Sequence, residues 1–356
     1  MGNMEAQTMK CPNCAAAISA GAEVCVYCEA SIPRTPPESA VAEDAQSVVT
    51  GELAAGTSLW RDAWRRLLKN KLAVFGMIVV IVMALASLIG PSVIKATTGY
   101  AYDLIPKESA LNKAFPPFRG PDGRFSWTHP MGTDIAGRDI LARVLSGGQI
   151  SLMVALISTL VSLLIGVSYG AIAGYLGGRI DDVMMRIVDV LYSLPYVIIV
   201  IVLLALLPAK TPTGQLAQLF IALGAVSWLT MARIVRGQVM SLKNQEFILA
   251  ARATGVPTRR IIFRHLVPNA LGPVIVYTTL TIPTVMLSEA LLSFLGLGVR
   301  QPRVSWGSLA AEGAQSLAVY PWMLIFPGAT MALMLFSLNF FGDGLRDALD
   351  PQMRKD

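Results

Sequence analysis

Cys11, Cys14, Cys25 and Cys28 are the residues whose type and spacing most directly promise chemistry. They form two C-x2-C pairs, CPNC and CVYC, ten residues apart. Each pair bends the backbone so that both sulfurs face one ion, and four thiolates suit tetrahedral zinc. Iron or redox use and disulfide pairing are the alternatives, and a cytosolic head keeps its thiols reduced, which disfavours the disulfides. The segment holds too little apolar material to fold alone, so a bound metal would supply its folding free energy. Four thiolates also close the coordination shell, which points to a structural or docking role.

Two acidic residues, Asp189 and Glu289, lie inside or at the ends of long apolar runs. Ionisable groups at membrane depth line a cavity or pair with a partner. Arg186, three residues before Asp189, offers it a helical ion pair near the cytoplasmic interface. Glu289 has no basic neighbour in sequence, which makes it the better candidate for a translocation path. His129 and His265 stand apart from each other and from any cysteine or carboxylate cluster, so no catalytic dyad or triad can be assembled. The stretch GTDIAGRD follows no strand. Thr133 or Asp134 is expected there to cap an external helix, Arg138–Leu145. No G-x-x-x-x-G-K-[ST] phosphate loop occurs in the 356 residues. If ATP drives this protein, another chain hydrolyses it.

The elements that would position these residues are membrane helices. The chain is 54% hydrophobic and only 15% charged, with a mean hydropathy of +0.57. A soluble domain of this length carries roughly a quarter charged residues. Apolar runs of about 20 residues span a bilayer, and six are read here: 72–94, 150–174, 184–207, 215–238, 268–295 and 321–343. The first starts at Leu72 and is too long for a signal core, so it is expected to span and to direct insertion. The net charge of +6 then speaks of orientation, because short basic segments collect in the cytoplasm. An even number of spans puts both termini on that side.

The expected organisation is therefore a zinc ribbon over 1–30, a disordered linker over 31–58 and an amphipathic interfacial helix over 59–71. The first span and a long external loop follow over 72–149, a transmembrane core over 150–346 and a cytoplasmic tail over 347–356. The stretch SLWRDAWRRLLKNK alternates apolar and basic residues at helical spacing, as a helix lying on anionic lipid does. Packing on its own protein is the alternative. No internal repeat is evident, which weakens a secondary transporter with inverted repeats. Such a protein would also need a buried ion relay, for which only Glu289 could serve.

Residues 245–268, QEFILAARATGVPTRRIIFRHLVP, interrupt the apolar pattern. Good helix formers place Ala250, Ala251, Ala253 and Thr254 close together. Gly255 suits the left-handed stop past a helix end, Pro257 opens a second short helix, and Pro268 is expected to break it before the next span. Two short helices meeting at a glycine make a compact basic knob on the cytoplasmic face. A plain loop gripping headgroups is the other reading.

This stretch resembles the "EAA" loop of ABC-importer permeases, with Leu249, Ala250, Ala251, Gly255 and Pro268 in register. Leu249 stands where the loop's glutamate is expected, and Glu246 lies one turn earlier. HPMGTDIAGRDILARVLSGGQISL (129–152), GYLGGRIDDVMMRIVDVLYSLP (174–195), RIIFRHLVPN (260–269), EALLSFLGLGVRQPRVSWGSL (289–309) and FGDGLRDALDP (341–351) are similar to the dipeptide/oligopeptide/nickel permease family, specifically its C-type subunit. The resemblance covers roughly residues 60–352. It implies an all-α membrane protein with six transmembrane helices of the ABC-importer permease type, preceded here by the small zinc ribbon. It implies a second permease subunit, two cytoplasmic ATPase subunits and an external solute-binding protein facing the 129–152 region, in a cell membrane. The knob would be the coupling helix seated in an ATPase groove, through Glu246, Ala250, Ala251, Arg252, Gly255 and Pro268. ATP would enter only through the partners, and the cargo is expected to be a di- or oligopeptide. The rival reading is a zinc-ribbon membrane scaffold or sensor without transport.

Overall fold

The computed structural model describes residues 59–106, 113–120, 124–206 and 208–349, with the short segments Thr8–Lys10 and Ala17–Ser19. The chain divides into two units, Met1–Leu59 and Trp60–Asp356. In the first, strand β1 (Thr8–Lys10) pairs antiparallel with β2 (Ala17–Ser19), Lys10 opposite Ala17. The four cysteines, the 31–58 linker and the tail beyond 349 lie outside the described residues.

The second unit is helical among its described residues. Among the described residues five helices are long and apolar enough to cross a membrane, and a bent pair passes the same test together, which makes six if the pair is one span. Helix α1 (Leu59–Lys69) leads into α2 (Lys71–Thr98), whose first turn is capped by the Asn70 side chain, accepting from the amides of Leu72 and Ala73. Residues 99–139 separate α2 from α3 (Ile140–Leu176). After α3 come α4 (Gly178–Ser193), α5 (Tyr196–Leu206) and α6 (Pro212–Leu242).

The knob consists of α7 (Glu246–Ala253), the short turn α8 (Thr258–Arg260), a π-helical turn over Ile261–Leu266 and the single turn α9 (Val267–Asn269). Helix α10 (Leu271–Phe294), the short α11 (Trp306–Gln315) and α12 (Trp322–Leu349) complete the bundle.

Three expectations are corrected. The third span, read as one helix over 184–207, is two helices bent by 95°. Pro195 removes a backbone donor and pushes the preceding residue out of the α region. Leu194 accordingly sits at φ −82°, ψ 141°. The external helix Arg138–Leu145 is not separate: α3 starts at Ile140 and runs unbroken to Leu176. Its cap is Asp139, which accepts from the Ala142 amide at 2.7 Å, rather than Thr133 or Asp134. The break before α10 falls at Ala270; Pro268 sits inside the first turn of α9, where a proline is tolerated.

The centre of the bundle is the α3–α6 pair. Gly166, Gly170 and Gly174 recur every four residues along one face of α3. A Cβ at Gly166 would lie 2.6 Å from Met231 Cβ, and one at Gly174 2.8 Å from the Arg236 carbonyl oxygen. Small residues at this spacing let two backbones close together where no water drives association. Helix α1 buries Ala63 and Leu67 against Ala73 and Ala348 while Trp64 stays half exposed, so it packs on its own protein on one side.

Candidate functional site

The knob is fixed by an inner apolar face. Ile248, Ala251, Ile261, Ile262 and Leu266 are buried against Ala171 of α3, Met231, Val235 and Val239 of α6 and Val274 of α10. Gly255, at φ +75°, ends α7. Its amide donates to the Arg252 carbonyl at 3.0 Å and the Val256 amide to the Ala251 carbonyl at 3.1 Å, a left-handed helix stop that glycine accommodates. Arg252 lies over the Tyr175 ring at 5.0 Å, and Lys243 Nζ donates to the Gly174 carbonyl at 2.9 Å, which ties the knob's base to the end of α3.

The outer face is bare. Phe247 is 42% exposed, Leu249 49% and Phe263 45%. Glu246, Ala250, Arg252, Gly255, Arg259, Arg260, Arg264 and Pro268 are exposed beside them. Of the residues assigned to coupling, Ala251 alone is buried and faces the bundle. Its contribution is to the inner packing, so a direct contact with a partner is corrected.

At the opposite end the 129–152 motif builds a buried polar network. Asp134, 1% exposed, accepts at Oδ1 from the amides of Ala136 and Arg138. Its Oδ2 accepts from Arg138 Nε at 2.7 Å and Arg143 Nη1 at 2.5 Å. Arg143 Nη2 reaches Glu312 of α11 at 2.9 Å. Thr133 Oγ1 accepts from the Phe115 amide, and its carbonyl accepts from Trp322 Nε1. His129 Nδ1 lies 2.8 Å from Asp139 Oδ2, which corrects the reading of His129 as isolated from carboxylates. Arg143 and Glu312 do not stand out in the sequence: they lie far apart in the chain, and α11 is too short for a hydropathy signal. The one local cue to α11 was the Ser305–Ser308 pair, whose side chains cap it reciprocally.

Between the two ends lie the buried or half-buried charges. Asp181 takes Arg236 through both Nε and Nη2, at 2.5 and 2.7 Å, clamping α4 to α6. Asp189 pairs with Arg233 Nη2 at 2.8 Å, and not with Arg186. The guanidinium prefers the carboxylate presented by a facing helix, and it also lies over the Tyr192 ring at 4.2 Å. Glu289 is 1% exposed and accepts from the hydroxyls of Ser293 and Ser305, each at 2.7 Å. It therefore pins the start of α11 to α10 and lines no open path in this conformation. A cavity of about 310 Å³ where the end of α5 meets the start of α6 is bordered by Ile201, Gln215, Gln218 and Arg300. Among the described residues no three His, Cys, Asp or Glu side chains cluster as metal ligands.

Residues 166–355 match the model of the binding-protein-dependent transport system inner membrane component, and residues 58–113 match the N-terminal transmembrane domain of oligopeptide transport permease C. The oligopeptide transport system permease protein OppC of Escherichia coli K12 is 48% identical over 300 residues, covering 84% of this chain and 93% of that protein. The Bacillus subtilis OppC is 42% identical over 319 residues, 90% of this chain and 97% of that protein. The dipeptide permease DppC of Bacillus subtilis is 42% identical over 299 residues, 84% of this chain and 87% of that protein. Among solved structures, a chain of the inward-facing MetNI methionine ABC transporter aligns with a TM-score of 0.47 at 20% identity, over 59% of this chain and 98% of that one.

Proposed function

The chain belongs to the binding-protein-dependent transport inner membrane component family, as a multi-pass permease subunit of the oligopeptide permease C type, and from that premise we propose how it works. Its cargo is a di- or oligopeptide, the substrate named for its relatives. A second permease completes the path, two cytoplasmic ATPase chains drive it, and an external solute-binding protein delivers the peptide to the platform around Asp134 and Glu312. Both termini face the cytoplasm, in keeping with the basic segments at the inner ends of the helices.

The observation that carries this reading is the two-faced knob. Its inner face grips α3, α6 and α10, while its outer face leaves Phe247, Leu249 and Phe263 bare among Arg252, Arg259, Arg260 and Arg264. Exposed apolar side chains ringed by charge mark a protein contact. A rigid-body shift of the ATPases would then pull on the knob and tilt three spans together, alternating outward- and inward-facing states. Co-purification tests it: the intact complex should retain ATPase chains, and a Phe247→Asp, Phe263→Asp variant should lose them. A lone homo-oligomer would sink the proposal.

The head is proposed to bind zinc through Cys11, Cys14, Cys25 and Cys28. The donor set is four soft thiolates, and the β1–β2 pairing brackets residues 11–16, which include the first C-x2-C. The metal would supply folding free energy and no transport step. Metal analysis of the purified chain checks this. About one zinc per chain is expected, lost in Cys11→Ser, Cys14→Ser.

A further inference from the structure

We infer that the Asp189–Arg233 pair is a relay subsite on the translocation path for a zwitterionic peptide, Arg233 taking the carboxylate and Asp189 the ammonium; this rests on the peptide-permease reading above. The two charged clamps between α4 and α6 differ. Asp181 is 7% exposed and takes two nitrogens of Arg236. With the Tyr169 hydroxyl donating to the Met184 carbonyl at 2.8 Å and Val188 buried in the core, that clamp docks α4. The side chains of Asp189 and Arg233 are 51% and 39% exposed, and only one guanidinium nitrogen, Nη2, is engaged by the carboxylate.

The position is deep. Ser227 is the midpoint of α6 (Pro212–Leu242), and six residues at the α-helical rise place Arg233 about 9 Å from it. With α6 centred, that lies inside the roughly 15 Å half-thickness of the hydrocarbon. Bare charges at such a depth face water or protein, not acyl chains. The face that bears them is therefore turned toward the path or the second permease.

Its chemistry favours the path. Tyr192 holds the Arg233 cation by its ring face, at 4.2 Å, which leaves edge N–H groups free to take a second carboxylate. Four residues on, across the bend at Pro195, Tyr196 Oη is buried near Ser227 and Ser288 without a hydrogen bond of ordinary geometry. A zwitterion inserting between Asp189 and Arg233 exchanges one internal pair for two external ones. No charge is left unpaired at low dielectric, and the guest can leave by the reverse exchange. A transport site must bind well enough to admit and weakly enough to release.

The test uses the intact complex, with ATPases and binding protein, in liposomes. Uptake of trialanine is compared with that of C-terminally amidated trialanine in wild type, Arg233→Gln and Asp189→Asn. The binding protein's own preference is common to all three, so a change in ratio reports the membrane step. Arg233→Gln should lower trialanine uptake and raise the amidated-to-free ratio, each about tenfold, as loss of a charge-assisted contact implies. Unchanged uptake and ratio in Arg233→Gln overturn the relay.

If a single variant fails to assemble, the exchanged pair Asp189→Arg, Arg233→Asp keeps the attraction. Assembly restored with the wild-type end-group preference makes the pair structural and overturns the relay, whereas a shifted preference supports it. A wild-type complex that takes up neither peptide overturns the peptide-permease reading itself, and the relay falls with it.

Discussion

At the end away from the knob Asp134, Arg143 and Glu312 tie the Asp134 turn, α3 and α11 together through charge pairs, with Asp134 and Arg143 buried and Glu312 partly exposed. At the inner end Ile248, Ile261, Ile262 and Leu266 hold the knob to the bundle chiefly by apolar contact. Charge pairs are directional, and a buried charge that loses its partner is left at high cost. Apolar contact is non-directional and scales with area, so it tolerates a small slide or tilt. The outer end is thus built as a fixed platform, and the inner end as a part that can be displaced without being torn loose. The π-helical turn at Ile261–Leu266, inserted where the knob rejoins the spans, fits the same division, since such turns recur at functional sites.

The largest test of this contrast is Asp134→Ala. Both side chains of the Asp134–Arg143 pair are 2% exposed, so removing Asp134 leaves buried Arg143 with the partly exposed Glu312 as its carboxylate, at a cost of about 3 kcal/mol. Thermal unfolding of the purified complex should show a clear drop in Tm, with loss of yield. Asp134→Asn, which can keep the turn to the Ala136 amide, should fall in between. An unchanged Tm in Asp134→Ala would mean that the platform is held by something other than its charges.

Gly255→Val comes next. An added Cβ meets nothing within 4 Å, so the cost is conformational, about 1–2 kcal/mol for a left-handed L-residue. The knob should shift relative to α6 while the bundle stays folded, and more ATP should be hydrolysed per peptide taken up. Gly255→Ala should behave similarly, because size is not the issue, whereas Gly255→Asn should be milder. Wild-type coupling in Gly255→Val would detach the knob from force transmission.

Why some of this was legible in the sequence and some was not follows from the range of each interaction. The five long apolar helices and the bent pair are written in local hydropathy, and the stop at Gly255 is a local backbone requirement. The motifs around 129–152 and 245–268 fall in the Asp134 network and in the knob. The bend at Pro195 was hidden because hydropathy continues straight through it. Asp189 invited a local partner, Arg186, but a contact across 44 residues won. Glu289 read as a bare charge because its two partners are serines, one of them 16 residues on, at the cap of a helix that hydropathy does not reveal. The glycine stripe 166–170–174 is visible as spacing, yet nothing in the spacing says that it faces Met231 and Arg236.

A smaller effect sharpens the comparison at the knob's base. Lys243 makes a polar bond there between the knob's approach and the end of α3, donating to the Gly174 carbonyl where helix-end carbonyls attract cations. Lys243→Met should lower stability by about 1 kcal/mol, read as a modest fall in Tm. A loss as large as that of Asp134→Ala would mean that charge anchors the inner end too.

The smallest effect on the fold is expected at Leu249, and its neighbour makes the test decisive. Ile248 is fully buried against the bundle, whereas Leu249, the next residue, is 49% exposed on the opposite side of α7. Ile248→Glu would place a carboxylate in the apolar seat and unseat the knob. Leu249→Glu supplies the residue that the resembled loop carries at this position, on a surface that already faces water. Its stability should stay within about 0.5 kcal/mol of the wild type. Any change in how firmly ATPase chains are retained then reports the outer face alone, because the inner packing is untouched. If Leu249→Glu destabilised the bundle as Ile248→Glu does, α7 would have to sit with its outer face against protein, and the division between a gripping side and a receiving side would be lost.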